Sequence, residues 1–258
     1  MNAILETRGL MRSFGAVVAA KDINVRIEKG EIVGVIGSNG AGKTTFINMV
    51  TGYLPPSGGE ILFDGHSILG RAPRDITRQG MSRSFQVAQL FPQLTVLENT
   101  LISLVAAEGV WPSFLRPLNT PERCAQADAM FEEFGVSHFR NAVISAVPQG
   151  ARKLVDIAMA LVSKPRMLLL DEPTSGVSAE EKFVLMDTVM AAVKKFGVTV
   201  LFVEHDMEIV ARYVTRIIAF YSGQVIADGP PSTVLTDARV QELVIGRHFE
   251  LDLLKESV

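Results

Sequence analysis

One segment constrains this chain more than any other: Gly37-Ser38-Asn39-Gly40-Ala41-Gly42-Lys43-Thr44. It follows an apolar run, Glu31 to Ile36, that reads as a buried strand. It precedes a run that places Phe46, Met49 and Val50 on one helical face. The segment fits G-x-x-x-x-G-K-[ST] without a gap, and strand–loop–helix is the setting which that pattern requires. Glycines let backbone N–H groups approach phosphate oxygens, and the helix start adds partial positive charge. Lys43 is expected to reach β- and γ-phosphates, and the Thr44 hydroxyl to ligate Mg²⁺. Ser38, Asn39, Gly40, Ala41 and Thr45 complete the expected phosphate cradle around Gly37, Gly42 and Lys43.

Such a loop needs an acidic partner for the metal. Met167-Leu168-Leu169-Leu170-Asp171 supplies one, a carboxylate at the C-terminal edge of an apolar strand, where ligands of an α/β sheet collect. Glu172, one residue on, suits a general base that takes a proton from an attacking water. Composition excludes other classes. The 258 residues are 48% hydrophobic and 21% charged, which disfavours disorder and coiled coil. A net charge of −3 argues against a basic, groove-filling nucleic-acid binder. Cys124 is the one cysteine, so neither an intrachain disulfide nor a cysteine-based zinc site can form, and a reducing cytosolic setting fits. Met1 to Ser13 has no signal-peptide core, and no apolar run reaches the roughly 18 to 20 residues that span a bilayer.

The hydrophobic period switches repeatedly between strand and helix, the mark of a mostly parallel sheet with helices on its faces. Ile23 to Ile27 alternates, Glu60 to Asp64 reads as a short strand, and Gly80 to Gln86 as an extended piece. From Gln86 to about Val155 the character changes to helix: Leu94 to Ala107, then a helix that Thr120-Pro121 opens and Gly135 ends. Beyond it come a helix near Ala151 to Ser163, the acidic strand, a helix over Ala179 to Phe196 and a strand over Val198 to Val203. The expected fold is therefore α/β. It has a P-loop, RecA-like core with a mostly parallel sheet, an N-terminal antiparallel β part and an inserted helical subdomain of about residues 87–154. The domain spans 1–246, and residues 247–258 form a tail.

In this order of motifs the chain resembles the nucleotide-binding subunits of ATP-binding-cassette transporters, from about Glu6 to Gly246. Arg12-Ser13-Phe14-Gly15, Ser82 to Gln86, Leu94 to Asn99 and Val203-Glu204-His205-Asp206-Met207 are similar to one branch, the ATPases of branched-chain amino acid uptake. The resemblance implies ATP and Mg²⁺ as ligands. It implies that Phe14 stacks on adenine, where the residue reading alone leaves a core phenylalanine open. It implies that Gln86 reaches metal and water, that His205 contacts the γ-phosphate, and that Asp171 holds the metal through water. It also implies two membrane permease subunits, a second such ATPase, an indirect link to a solute-binding protein, no nucleic acid, and a place on the cytoplasmic face of the membrane.

One motif departs. The family's Leu-Ser-Gly-Gly-Gln is here Val147-Pro148-Gln149-Gly150-Ala151, which keeps Gly150 to face a partner's ATP but loses two polar side chains. Unequal sites in a heterodimer are the expected consequence. Ser178 with Glu181 reads as a helix capping box. Trp111, Phe114 and Leu115 read as loop packing or a docking patch, and Val240 to Leu254 as a helix folded on the body. Three rivals compete with the importer: a lipopolysaccharide-type exporter ATPase, a soluble cassette ATPase acting on DNA or ribosomes, and a P-loop kinase. The residues after Gln86 argue against the first and the charge against the second. A kinase would leave His205 and Gly150 without a role.

Overall fold

The computed structural model describes residues 3–84, 90–108 and 117–246. Along the chain run β1 (Ala3–Phe14), β2 (Val17–Glu28), β3 (Ile32–Gly37), α1 (Lys43–Val50), β4 (Gly58–Phe63), β5 (His66–Ser67) and α2 (Pro73–Arg78). Next come β6 (Met81–Ser84), α3 (Val96–Glu108), α4 (Pro121–Glu133), α5 (Gln149–Val162), β7 (Met167–Asp171) and α6 (Ala179–Phe196). The order closes with β8 (Thr199–Val203), α7 (Met207–Tyr213), β9 (Arg216–Tyr221), β10 (Gln224–Gly229) and short helical turns up to Ile245. Two compact units result, Met1–Ile76 with Thr199–Val258, and Thr77–Val198.

In the first unit β2, β1, β4 and β5 form an antiparallel sheet in that order. This is the expected N-terminal β part. Beside β3, both β8 and β9 run parallel, and β10 folds back antiparallel on β9. Strands β3, β8 and β9 are buried on both faces, so they read as continuous apolar runs: Val33, Val35, Val200 to Phe202 and Ile217 to Phe220 have no exposed surface. Phe46 of α1 meets Phe220 of β9 with ring centroids 5.4 Å apart. Burying such a ring stabilises by about 1.5–3 kcal/mol and fixes the helix that the glycine-rich loop opens.

In the second unit β6 and β7 pair in parallel, Met81 opposite Met167 and Ser84 opposite Leu170. Its helices begin where the side chains dictate. Thr95 and Glu98 exchange bonds at the start of α3: Thr95 N–H donates to Glu98 Oε2 (2.8 Å) and Glu98 N–H to Thr95 Oγ1 (3.1 Å). The Thr95 N–H and, beside it, the Thr95 hydroxyl (2.8 Å) both donate to Glu98 Oε2 and hold the Glu98 carboxyl below its usual range. Thr120 caps α4 with Pro121 at its first position, and Ser178 caps α6, accepting from Glu181 N–H. Helix α5 buries Val155, Ile157, Ala158 and Leu161, the 3–4 spacing that gives it an apolar stripe. Of the expected tail helix, Ala238–Val240 and Gln241–Ile245 are helical; the remainder, like Gln86 and the Trp111 cluster, lies outside the described residues.

Candidate functional site

The first unit carries the phosphate loop. Strand β3 ends at Gly37, and α1 opens at Lys43 with no side-chain cap on its first turn. Ala41 N–H donates to Ser38 O (3.1 Å) and Phe46 N–H to Gly42 O (2.9 Å), which closes the loop onto the helix. Gly42 sits at φ 105°, and a Cβ there would lie 2.7 Å from the Ala19 carbonyl oxygen and 3.2 Å from Gly223 Cα. Only glycine fits that crossing. Gly223 also donates its N–H to Ala41 O (2.9 Å) and accepts from Lys21 N–H (2.8 Å), so β2 and the β9–β10 turn brace the loop from outside.

Lys43 is almost fully buried at 6% exposure. It donates to Gly37 O (2.5 Å) and Ser38 O (3.1 Å), the loop's own carbonyls. The loop is thus wound around a cation, with Asn39, Gly40 and Thr44 exposed at its rim. A buried cation beside uncapped helix N–H groups fits a polyphosphate.

His205 lies one residue past the Glu204 that follows β8. Val203 registers with Val35 of β3, so His205 emerges level with the loop on the same strand ends, and it is exposed. Its N–H donates to the carboxylate of buried Glu204 (3.0 Å). Asp206 caps α7 immediately beyond, accepting from Glu208 N–H (3.0 Å).

Phe14 stands at the end of β1 with 49% of its surface open, so the core alternative does not hold. The Arg12 guanidinium lies over its ring, 4.6 Å from the centroid.

The second unit carries the acidic pair and the Gly150 segment. Asp171 ends β7, and Arg83 of β6 donates to its Oδ2 at 2.6 Å; the two side chains are 8% and 10% exposed. Glu172 adopts φ 48°, left-handed for a non-glycine residue. Its carbonyl accepts from Ser175 N–H (3.1 Å) and from the Lys153 ammonium (3.4 Å). Ser84 donates to Asp156 of α5 at 2.5 Å. The strand that leads towards Gln86 is therefore tied to β7 by Arg83 and to α5 by Ser84.

Pro148 starts α5 and offers no capping side chain. Gln149, at a position where glycine is usual, lies against Gly176 so closely that a Cβ there would meet its amide. Sequence reasoning placed Arg12, Arg83 and Ser84 only within motif stretches and Lys153 only as charge near the start of α5, and gave Asp156 no role; their partners come from the structure. Thr44 and Asp171 are hard oxygen donors suited to Mg²⁺. Among the described residues no helix is long and apolar enough to cross a membrane.

A sequence profile for the ABC transporter family matches residues 20–175. The high-affinity branched-chain amino acid transport ATP-binding protein BraF of Pseudomonas aeruginosa is 33% identical over 94% of this chain and 98% of its own length. The corresponding LivG of Escherichia coli K12 is 32% identical over 94% and 98%. The phosphonates import ATP-binding protein PhnC of Alcaligenes faecalis is 34% identical over 90% and 85%. Among solved structures, an ATP-binding cassette of an ABC transporter in its ADP conformation superposes with a TM-score of 0.85 at 30% identity, covering 96% of this chain and all of that one.

Proposed function

The chain belongs to the ABC transporter family, and from that premise we propose that it is the ATP-hydrolysing subunit of an importer for branched-chain amino acids or related small polar solutes. The observation that carries the solute class is the near end-to-end likeness to branched-chain amino acid transport ATP-binding proteins. The phosphonate importer's protein, slightly higher in identity, is matched over less of its length.

In this reading residues 37–45 hold the triphosphate, with Lys43 exchanging its loop carbonyls for phosphate oxygens. Thr44, Gln86 and, through water, Asp171 would hold Mg²⁺, which would supply positive charge against the developing charge on the phosphates. Glu172 accepts a proton from the water that attacks the γ-phosphorus. A water oxygen–phosphorus bond forms as the bond to the β-phosphate oxygen breaks, leaving ADP and phosphate. His205 donates to a γ-phosphate oxygen, and Phe14 stacks on the base. Gly150, at the uncapped start of α5, faces the ATP of a second ATPase subunit. That partner is a different chain, because Pro148 and Ala151 weaken the site which this surface covers.

The pair works on the cytoplasmic face of the membrane beneath two permease subunits and takes its direction from a solute-binding protein. Contact with the permeases runs through the segment from Gln86 to Glu98. Nucleic acid has no part.

The test is Glu172→Gln in the assembled transporter. ATP binding should persist, while hydrolysis and uptake of a labelled branched-chain amino acid fall by roughly 10²- to 10⁴-fold. Near-normal hydrolysis removes Glu172 as the base. Full ATPase activity without uptake of any such solute removes the solute class.

A further inference from the structure

The apolar tip of the first hairpin has a feature that phosphate binding does not use. Phe14, Val17 and Val18 are exposed there at 49%, 66% and 52%. An exposed ring on a two-stranded tip has no packing to set its direction. Here two things set it. The pairing of β1 with β2 shifts register at Arg12 and again at Ser13, an irregularity that re-aims side chains. The Arg12 guanidinium then covers one ring face at 4.6 Å.

That guanidinium is itself held. Arg12 Nη1 donates to the Pro55 carbonyl at 2.8 Å, in the turn that follows α1. Two further bonds latch the same places: Ser57 N–H to Met11 O (2.7 Å) and Ser13 N–H to Ser57 Oγ (3.2 Å). Arg12 Nε is buried and finds no oxygen, so the ring face is what this part of the guanidinium receives in exchange for water. The return strand β2 meanwhile lies against the phosphate loop through Ala19 and Gly42. The ring is thus anchored on both sides to the loop and its helix.

We propose that Arg12 is a positioning residue for nucleotide. By stacking on one face of Phe14 and gripping the Pro55 carbonyl, it fixes the opposite face as a platform for the base of a nucleoside triphosphate. With one face covered and about half of the residue open, that opposite face is the one left to a ligand. The inference rests on the reading of Phe14 as the base platform and adds what holds the platform still. The guanidinium touches neither base nor phosphate; it lowers the freedom that the ring would lose on stacking.

The experiment is equilibrium binding by calorimetry to the full chain, with ATP and with inorganic tripolyphosphate, which has no base. Arg12→Met should weaken ATP by about 2- to 10-fold, the range of an exposed to partly desolvated cation–π contact, and leave tripolyphosphate within about twofold. Arg12→Lys, which keeps a cation but not the planar fork, should fall between. Phe14→Leu should weaken ATP alone, and Arg12→Met added to it should cost nothing more. Loss of ATP affinity in Phe14→Leu with none in Arg12→Met overturns the role of Arg12 and leaves the platform standing. Equal losses for ATP and tripolyphosphate in Arg12→Met also overturn it, since the residue would then act through the fold or the phosphate loop. An unchanged ATP affinity in Phe14→Leu removes the platform itself, and the proposal with it.

Discussion

Replacing Arg83 by methionine tests how much of the second unit depends on one ion pair. The guanidinium and the Asp171 carboxylate meet at 2.6 Å with 8% and 10% of their side chains exposed, so neither has water to fall back on. Exposed pairs contribute little, but removing one partner of a buried pair strands the other charge and costs about 3–5 kcal/mol. For a chain of this length each kcal/mol lowers the melting temperature by about 2–4 °C. A loss of ~3 kcal/mol therefore predicts a drop of roughly 6–12 °C. Asp171→Asn should also destabilise, because it removes the carboxylate charge that the guanidinium pairs with at 2.6 Å. The double variant should recover much of the loss, since no buried charge is left alone. The assay is a double-mutant cycle from urea melts of wild type, both singles and the double. A coupling energy of at least about 2 kcal/mol is expected. Losses that add to within ~0.5 kcal/mol would falsify the claim that the two charges depend on one another.

Two further outcomes follow from positions described above. Gly42→Ala should destabilise by about 2–4 kcal/mol, from strain at φ 105° and from the approach to the Ala19 carbonyl, whereas Gly40→Ala, at φ 78° with no atom within 4 Å, should cost about 1 kcal/mol; thermal melts that rank them in the reverse order refute the steric account. Phe91→Asp should leave the isolated chain folded and binding ATP, because its side chain is 54% exposed while Asn99 grips its backbone at both N–H (2.8 Å) and C=O (3.2 Å); pull-down with the permeases should lose most of the complex, and undiminished assembly and transport would place the docking surface elsewhere.

What could be read ahead of the structure was whatever leaves a local mark. The phosphate loop announces itself through glycine and lysine spacing. The caps at Thr120 and Ser178 do so through side chains next to the N–H groups that they satisfy. The acidic strand is legible because burial on both faces makes it apolar throughout. The β9–β10 hairpin leaves a local mark too, in its joining turn Ser222-Gly223, although that signal plays no part in the sequence reading above. Helix α7 has a clear N-cap in Asp206 but only seven residues, too few to show a period. The polar ties could not be read at all. Ser84 and Asp156, or Arg83 and Asp171, are 72 and 88 residues apart, and only the finished packing of strand and helix brings each pair within a hydrogen bond.

The turn at Glu172 separates two properties that usually fail together. Its left-handed backbone is held through its carbonyl, which accepts from Ser175 N–H and from the Lys153 ammonium. A change of side chain there leaves these two carbonyl bonds available, provided that the newcomer tolerates positive φ. Glycine, asparagine and glutamine do; valine, isoleucine and threonine do not. A duplicated gene could therefore exchange Glu172, the base in the proposed mechanism, in a single mutation and keep the backbone bonds that hold this turn. Mutational drift at this position has an open exit towards silent, structurally competent subunits, and the β-branched residues are closed to it.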